Sequence, residues 1–252
     1  NPKDKEWAQR NELVDLVWFP TGGGKTEAYL GIIALSLLYR RVVHGDKGGG
    51  TGVIMRYTLR LLTIQQFQRA TIMIMALELI RRGRTETFGL EPIYIGLWVG
   101  QGSLPNKFRK QGNDEDGLIE EYDNIITQLR GDKEKNVSYD PELIQLKTKL
   151  PVLTCPWCGT EIYKNYHVNY EFVNDSQNTF YHNRVILYCN NDSCCFSEFM
   201  EGVTSGEKEL FGPIPISICD EEIYQHPPAL LFGTVDKFAQ LAHKVSNRSA
   251  TA

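Results

Sequence analysis

Two hydrophobic rhythms alternate along the first hundred residues. Leu13-Val14-Asp15-Leu16-Val17-Trp18-Phe19 is a short apolar run ending at Pro20, which predicts a buried strand. Glu27 to Val43 is apolar with few breakers and predicts a helix, and His44 to Gly52 (HGDKGGGTG) predicts a flexible loop. Val53 to Tyr57 predicts a second strand, Leu61 to Arg82 a long helix with apolar residues at helical spacing, and Ile93 to Val99 a third strand. Strand, helix, strand, helix, strand is the pattern of a parallel α/β sheet with right-handed crossovers. The rhythm breaks after Gly100. Strand character returns at Ile214 to Cys219 and Ala229 to Val235, and Asp236 to Lys244 predicts a final helix.

These breaks divide the chain into four stretches. Residues 1–100 form the first part of the sheet domain. Residues 101–150 carry 8 Lys/Arg and 10 Asp/Glu and read as a charged helical insertion, with amphipathic helices near Leu118 to Leu129 and Pro141 to Leu150. Residues 151–205 are rich in Cys, Tyr and Asn and read as a small metal-stapled module. Residues 206–252 return to the sheet domain.

Composition changes this picture little. The 252 residues are 42% hydrophobic and 23% charged, as in ordinary globular proteins. That excludes collagen-like, disordered and membrane-spanning chains. The longest mostly apolar run, Tyr29 to Tyr39, is too short for a bilayer. No export signal is present, so the expected location is cytoplasmic, with no membrane partner. The chain opens at Asn1 without a Met, which reads as a piece of something longer. Net charge is −4, from 27 Lys/Arg and 31 Asp/Glu. Residues 1–100 carry 13 basic and 9 acidic side chains, so the front half is the one suited to polyanions.

The sharpest motif is Thr21-Gly22-Gly23-Gly24-Lys25-Thr26, between the first predicted strand and helix. It fits the end of a phosphate loop, although Phe19 stands at the leading Gly position. Glycines let backbone N–H groups turn toward phosphate oxygens, and the helix N-terminus adds partial positive charge. Lys25 would reach the β- and γ-phosphates of ATP, and the Thr26 hydroxyl would hold Mg²⁺. Directly after the second strand, Thr58, Arg60 and Gln65 can present hydroxyl, guanidinium and amide groups to a phosphate backbone.

Six cysteines are present. Cys155 and Cys158 form a CxxC knuckle, and Cys189 and Cys194 close a second pair about thirty residues on. Without an export signal, metal is favoured over disulfides. Four thiolates suit a closed, structural, tetrahedral Zn²⁺ site. The second gap is four residues, and Cys195 is an alternative to Cys194. Nearby Tyr163, Tyr166, Tyr170 and Tyr181 suit a β module's own core better than base stacking.

WFPTGGGKTEAYLG followed by YTLRLLTIQQFQRA resembles the first motor domain of superfamily-2 helicases, the second block being similar to their motif Ia. With CPWCG and the late PPALLFGTVDKFA, the chain most resembles the helicase component of DISARM, a bacterial anti-phage defence system, from about Leu13 to Ala242. The resemblance implies a RecA-like fold, ATP-driven translocation on DNA, a role in restricting foreign DNA, and a further defence protein as partner. It carries over Lys25 and Thr26 to nucleotide and Mg²⁺. It carries over Thr58, Arg60 and Gln65 to the DNA backbone. Gly233-Thr234-Val235-Asp236-Lys237 resembles motif Ib, which assigns Thr234 and Lys237 to DNA as well.

Ile216-Ser217-Ile218-Cys219-Asp220-Glu221-Glu222 has the look of a Walker B strand, with Asp220 for Mg²⁺ and Glu221 for water. Motif order opposes it, because the motif Ib-like GTVDK comes after Asp220 rather than before. The expectation is that Asp220 and Glu221 are strand-end surface acids and that the true acidic motif lies beyond Ala252. The fragment alone is then incomplete for catalysis. Two rival functions are an ATP-gated switch that does not translocate, and a zinc-containing nucleic-acid-binding module with a vestigial loop.

Overall fold

The computed structural model describes residues 24–57, 60–99, 152–162, 170–173, 184–197 and 212–239. The predicted strand Leu13–Phe19, the insertion 101–150, and Thr21, Gly22, Gly23 and Thr58 lie outside them.

Four strands pair in one parallel sheet: β1 (Val53–Tyr57), β2 (Ile95–Trp98), β5 (Ile216–Ser217) and β6 (Leu230–Thr234), in the order β1-β6-β2-β5. The last of the described strands is thus inserted between two early ones. In register, Val53 faces Leu230 and Tyr57 faces Thr234 on one side of β6, and Ile95 faces Leu230 on the other. Every residue of β2 and β6 is buried, as expected where helices cover both faces of a parallel sheet. In β1 burial alternates, with Ile54 and Arg56 outward.

The helices owe their placement to the spacing of buried positions. In α1 (Lys25–His44) the buried residues are Ile33, Leu37 and Arg41, four apart and so on one stripe. The opposite face exposes Ile32, Leu35, Tyr39, Val42 and Val43. α2 (Arg60–Arg82) buries Phe67, Ala70, Ile74 and Met75. Phe67 meets Phe232 of β6 edge-on, with ring centres 5.9 Å apart, while Tyr57 stacks on that same ring. Two short helices, α3 (Thr85–Phe88) and α4 (Asp220–Gln225), have too few turns to show in a hydrophobic pattern. A further helix, α5, begins after β6 and is described over 235–239.

The Gly-rich stretch after α1 was expected to be a flexible loop, and it is instead fastened. It forms a 3₁₀ turn over Gly45–Gly48. The Asp46 carboxylate accepts N–H bonds from Leu90 and Glu91, and Arg40 donates to Gly49 O. Composition gave the loop, and one carboxylate in it made the difference.

A buried ionic knot closes the far end of α2. Glu78 is 1% exposed and accepts bonds from Arg81, Arg82 and the Ile93 N–H, all within 2.9 Å. Four donors satisfy the carboxylate, so its burial is tolerated. Arg82 also donates to Pro213 O and lies 5.4 Å over the Phe196 ring.

Phe196 belongs to the cysteine module. That module contains a short hairpin bridged at Thr154–Glu161, an antiparallel pair β3 (Tyr170–Val173) and β4 (Arg184–Leu187), and a second knuckle up to Ser197. Leu187 bridges to Ile214, two residues before β5. Val152, Ile162, Leu187 and Phe196 share one apolar cluster with the sheet core.

Candidate metal centre and nucleotide site

The cysteine centre is built by two turns that face each other. In the first, Cys155 N–H bonds to Thr160 O and Gly159 N–H returns to Cys155 O. Gly159 has φ 77, a conformation that a side chain would disfavour. In the second, Cys189 N–H bonds to Phe196 O and Cys194 N–H to Asn191 O. Together they bring the Sγ atoms of Cys155, Cys158, Cys189 and Cys194 within 4.8 Å of one another. Cys195 is not in the group, so the structure selects Cys194 between the two neighbours.

The spacing suits a tetrahedral ion. A Zn–S bond of about 2.3 Å implies about 3.8 Å between sulfurs. The pairs Cys155–Cys194 and Cys158–Cys189 lie at 3.9 and 3.5 Å. Electrostatics agree. The hydrogen bond from Cys189 is the largest influence drawing the Cys155 thiol down to about 5; burial opposes it, and N–H groups of Cys158 and Trp157 reinforce it. Cys189, on the giving side, is pushed far up. Burial lifts Cys194 to about 12. Crowded sulfurs thus push one thiol down and two up, and a dication at their centre would favour the thiolate form of each ligand. Three of the four sulfur residues are buried and all positions are filled by protein, so the residues present can hold a closed Zn²⁺ site.

The candidate nucleotide end, the start of α1, stands elsewhere. Gly24 caps α1 in the left-handed conformation, φ 71. The first intrahelical bond is Ala28 N–H to Gly24 O. A helix N-terminus of this kind is a ready place for a phosphate. Lys25 and Thr26 are its first two residues. The Tyr29 hydroxyl donates to Thr26 Oγ1 at 3.1 Å and lies 3.4 Å from the Tyr57 hydroxyl. Burial, then the Tyr29 hydrogen bond, pushes the Tyr57 phenol well above its usual value, so it stays neutral. These two tyrosines brace Thr26, and no motif announced them. Glu27 behaves as an anion at this helix end. Its carboxylate is held below the usual range, first by its own N–H, with further help from Arg69, to which it is ion-paired.

The two sites lie on opposite edges of the sheet. The Tyr29–Tyr57 contact puts the start of α1 beside the C-terminal end of β1. Arg82 and Pro213 put the cysteine module at the N-terminal ends of the strands. Between these edges runs α2, whose 23 residues span about 34 Å.

The residues expected to touch DNA separate into kinds. Gln65 is exposed on α2. Arg60 is the first residue of α2, directly past the C-terminal end of β1, and only its backbone is described. Thr234 and Lys237 are buried, at 8% and 3% exposure. Lys237 Nζ lies 2.6 Å from Asp220 Oδ2. Asp220 was expected to be a surface acid and is instead an almost fully buried ion-pair partner. Glu222 is buried too, while Glu221 is half-buried. The pattern of acids at a strand end could not reveal this, because the lysine that covers Asp220 comes seventeen residues later.

The DISARM protein DrmA of Bacillus paralicheniformis is 35% identical over 240 residues, covering 91% of this chain. The chain spans 18% of the length of that relative. No family model matches. Among the described residues, no helix is long and apolar enough to cross a membrane.

Proposed function

The chain is DrmA-like along 91% of its length, and from that premise we propose that it forms part of an ATP-driven motor on DNA, in a multi-protein bacterial defence against phage. The carrying observation is the glycine-capped start of α1, with Lys25 and Thr26 at the C-terminal edge of a parallel sheet. Ligands of open α/β sheets gather at that edge. The strand order, with β6 between β1 and β2, supports a RecA-like domain.

ATP supplies the phosphoryl bond whose hydrolysis drives movement. The loop Thr21, Gly22, Gly23 and Gly24 would wrap the phosphates with backbone N–H groups. Lys25 would neutralise phosphate charge, and Thr26, braced by Tyr29, would offer its hydroxyl to Mg²⁺. Thr58, Arg60 and Gln65, beyond β1, would meet the DNA backbone beside the nucleotide. Asp220 and Glu221 have no place in hydrolysis on this reading. They follow β5, three strand spacings or about 14 Å across the sheet from β1. Asp220→Asn with Glu221→Gln should leave kcat largely intact in the intact protein. The cysteine centre would hold one Zn²⁺ as a structural staple, on the edge away from the nucleotide.

Nucleotide titration of the wild type and Lys25→Ala tests the core of this reading. Loss of a charged phosphate contact should weaken ATP binding about tenfold to a hundredfold. Unchanged affinity would remove the phosphate-loop assignment and favour a zinc-containing binding module. ATP turnover that ignores added DNA would favour a switch. Arg60→Ala should lower the salt slope of DNA binding by about 0.7 to 0.9.

A further inference from the structure

Lys237 belongs to α5, just past β6, and Asp220 opens α4, just past β5. Strand β2 runs between them and ends at Trp98. The Lys237 ammonium sits 2.6 Å from the Asp220 carboxylate and 5.9 Å from the Trp98 ring centre. Both charged side chains are almost fully buried. The lysine therefore reaches over the end of β2 and closes a strap on its far side. The Trp98 face is a second partner that favours a cation there. This strap stands at the same edge of the sheet as the nucleotide end.

An ammonium in this place cannot also serve a phosphate. A lysine is a compact charge on a flexible four-carbon stem, so it can change partner without the backbone moving. We propose that Asp220 is a positioning residue that holds Lys237 in reserve, and that a nucleic-acid phosphate competes with it for the one ammonium. The proposal rests on the reading of this chain as DNA-binding. DNA binding then breaks the ion pair, and the carboxylate lowers the apparent affinity by the fraction of molecules in which Lys237 is turned inward. Once DNA is bound, Asp220 is left to the solvent that enters beside it.

The test is a double-mutant cycle on the full chain. Binding of fluorescein-labelled oligothymidylate is followed by anisotropy through a salt series, for the wild type, Asp220→Asn, Lys237→Met and the double variant. Asp220→Asn should tighten binding about tenfold if nine in ten lysines are held inward. Lys237→Met should weaken binding and lower the salt slope by about 0.7. Asp220→Asn should do nothing once Lys237 is gone. Binding by folded Asp220→Asn that is equal to or weaker than wild type overturns the proposal, as does an Asp220 effect that survives in the K237M background. A wild type that binds no oligonucleotide removes the DNA reading itself, and this with it. Lysine side-chain NMR on the unmutated protein avoids any folding defect. The Lys237 Nζ signal, assigned by its loss in K237M, should shift when oligothymidylate is added, and a signal that stays put refutes the exchange.

Discussion

Strand β6 and the second cysteine knuckle are both buried, but burial means different things in them. All five residues of β6 are buried, and the Phe232 ring meets rings from both β1 and α2. Its place is fixed by area removed from water, which is non-directional and spread over many residues. Cys189 and Cys194 are buried beside other sulfurs, in turns held by a few N–H bonds. There one ion held by four sulfurs would do what a whole strand does in the sheet. A small module has too little interior for the first method and so relies on the second. The two share one apolar cluster and meet at Arg82.

The contrast can be broken from either side. The largest effect should come from Cys155→Ser with Cys158→Ser. A structural zinc is worth about 10–16 kcal/mol in small peptides, so the module should lose its metal and unfold. Elemental analysis should fall from one zinc per chain to none, and protease should cut within 152–197 while α1 and α2 keep their helical signal. A metal-free protein that resists protease there would refute the metal-stapled module. Next comes Phe232→Ala, expected to cost about 3–5 kcal/mol in urea unfolding, with the zinc content of the folded protein unchanged.

Arg82→Ala addresses the joint. It removes charged hydrogen bonds to Glu78 and Pro213 O and the contact on Phe196. About 2–3 kcal/mol is expected, and calorimetry should show the single transition dividing into two. Near neutral pH the smallest effect is one of titration, which grows only in strong alkali. Burial lifts the Cys219 thiol to about 12 from an unfolded value near 9. A raised pKa favours folding fully below about pH 9 and loses that contribution as pH rises through 12, at about 1.4 kcal/mol per unit. The cysteine centre has the opposite sense, because protons compete with metal for thiolates and acid should release the zinc. Alkaline titration followed by circular dichroism, and acid titration followed by a zinc dye, separate the two.

Much of this was legible in the chain. The long helices α1 and α2 and the strands β1 and β6 appear within two residues of where periodicity put them, since long regular patterns leave few alternatives. The four sulfurs were legible from spacing, and three-dimensional closeness was needed only to choose Cys194 over Cys195. Other features were not legible, because they depend on residues far apart in sequence. Asp220 looked exposed until Lys237 was folded onto it, and Asp46 looked like part of a loose loop until Leu90 and Glu91 reached it. Tyr29 and Tyr57 looked like ordinary apolar positions, yet they brace Thr26 and meet 28 residues apart. Single polar contacts carry no period, and so leave no pattern to read.

The position of β6 also governs time. It pairs residue 53 with residue 230, and it is the only strand between β1 and β2. During synthesis at about 5–20 residues per second, β1 and β2 must wait many seconds for the strand that joins them. Their inner edges are unpaired throughout that interval, and such edges are where chains stick to one another. The cysteine module emerges within it. A metal-bound cluster that forms early shortens the loop still to be closed, since loop-closure entropy rises with length. Slow refolding from denaturant, faster with zinc already present, is the kinetic signature that this strand order predicts.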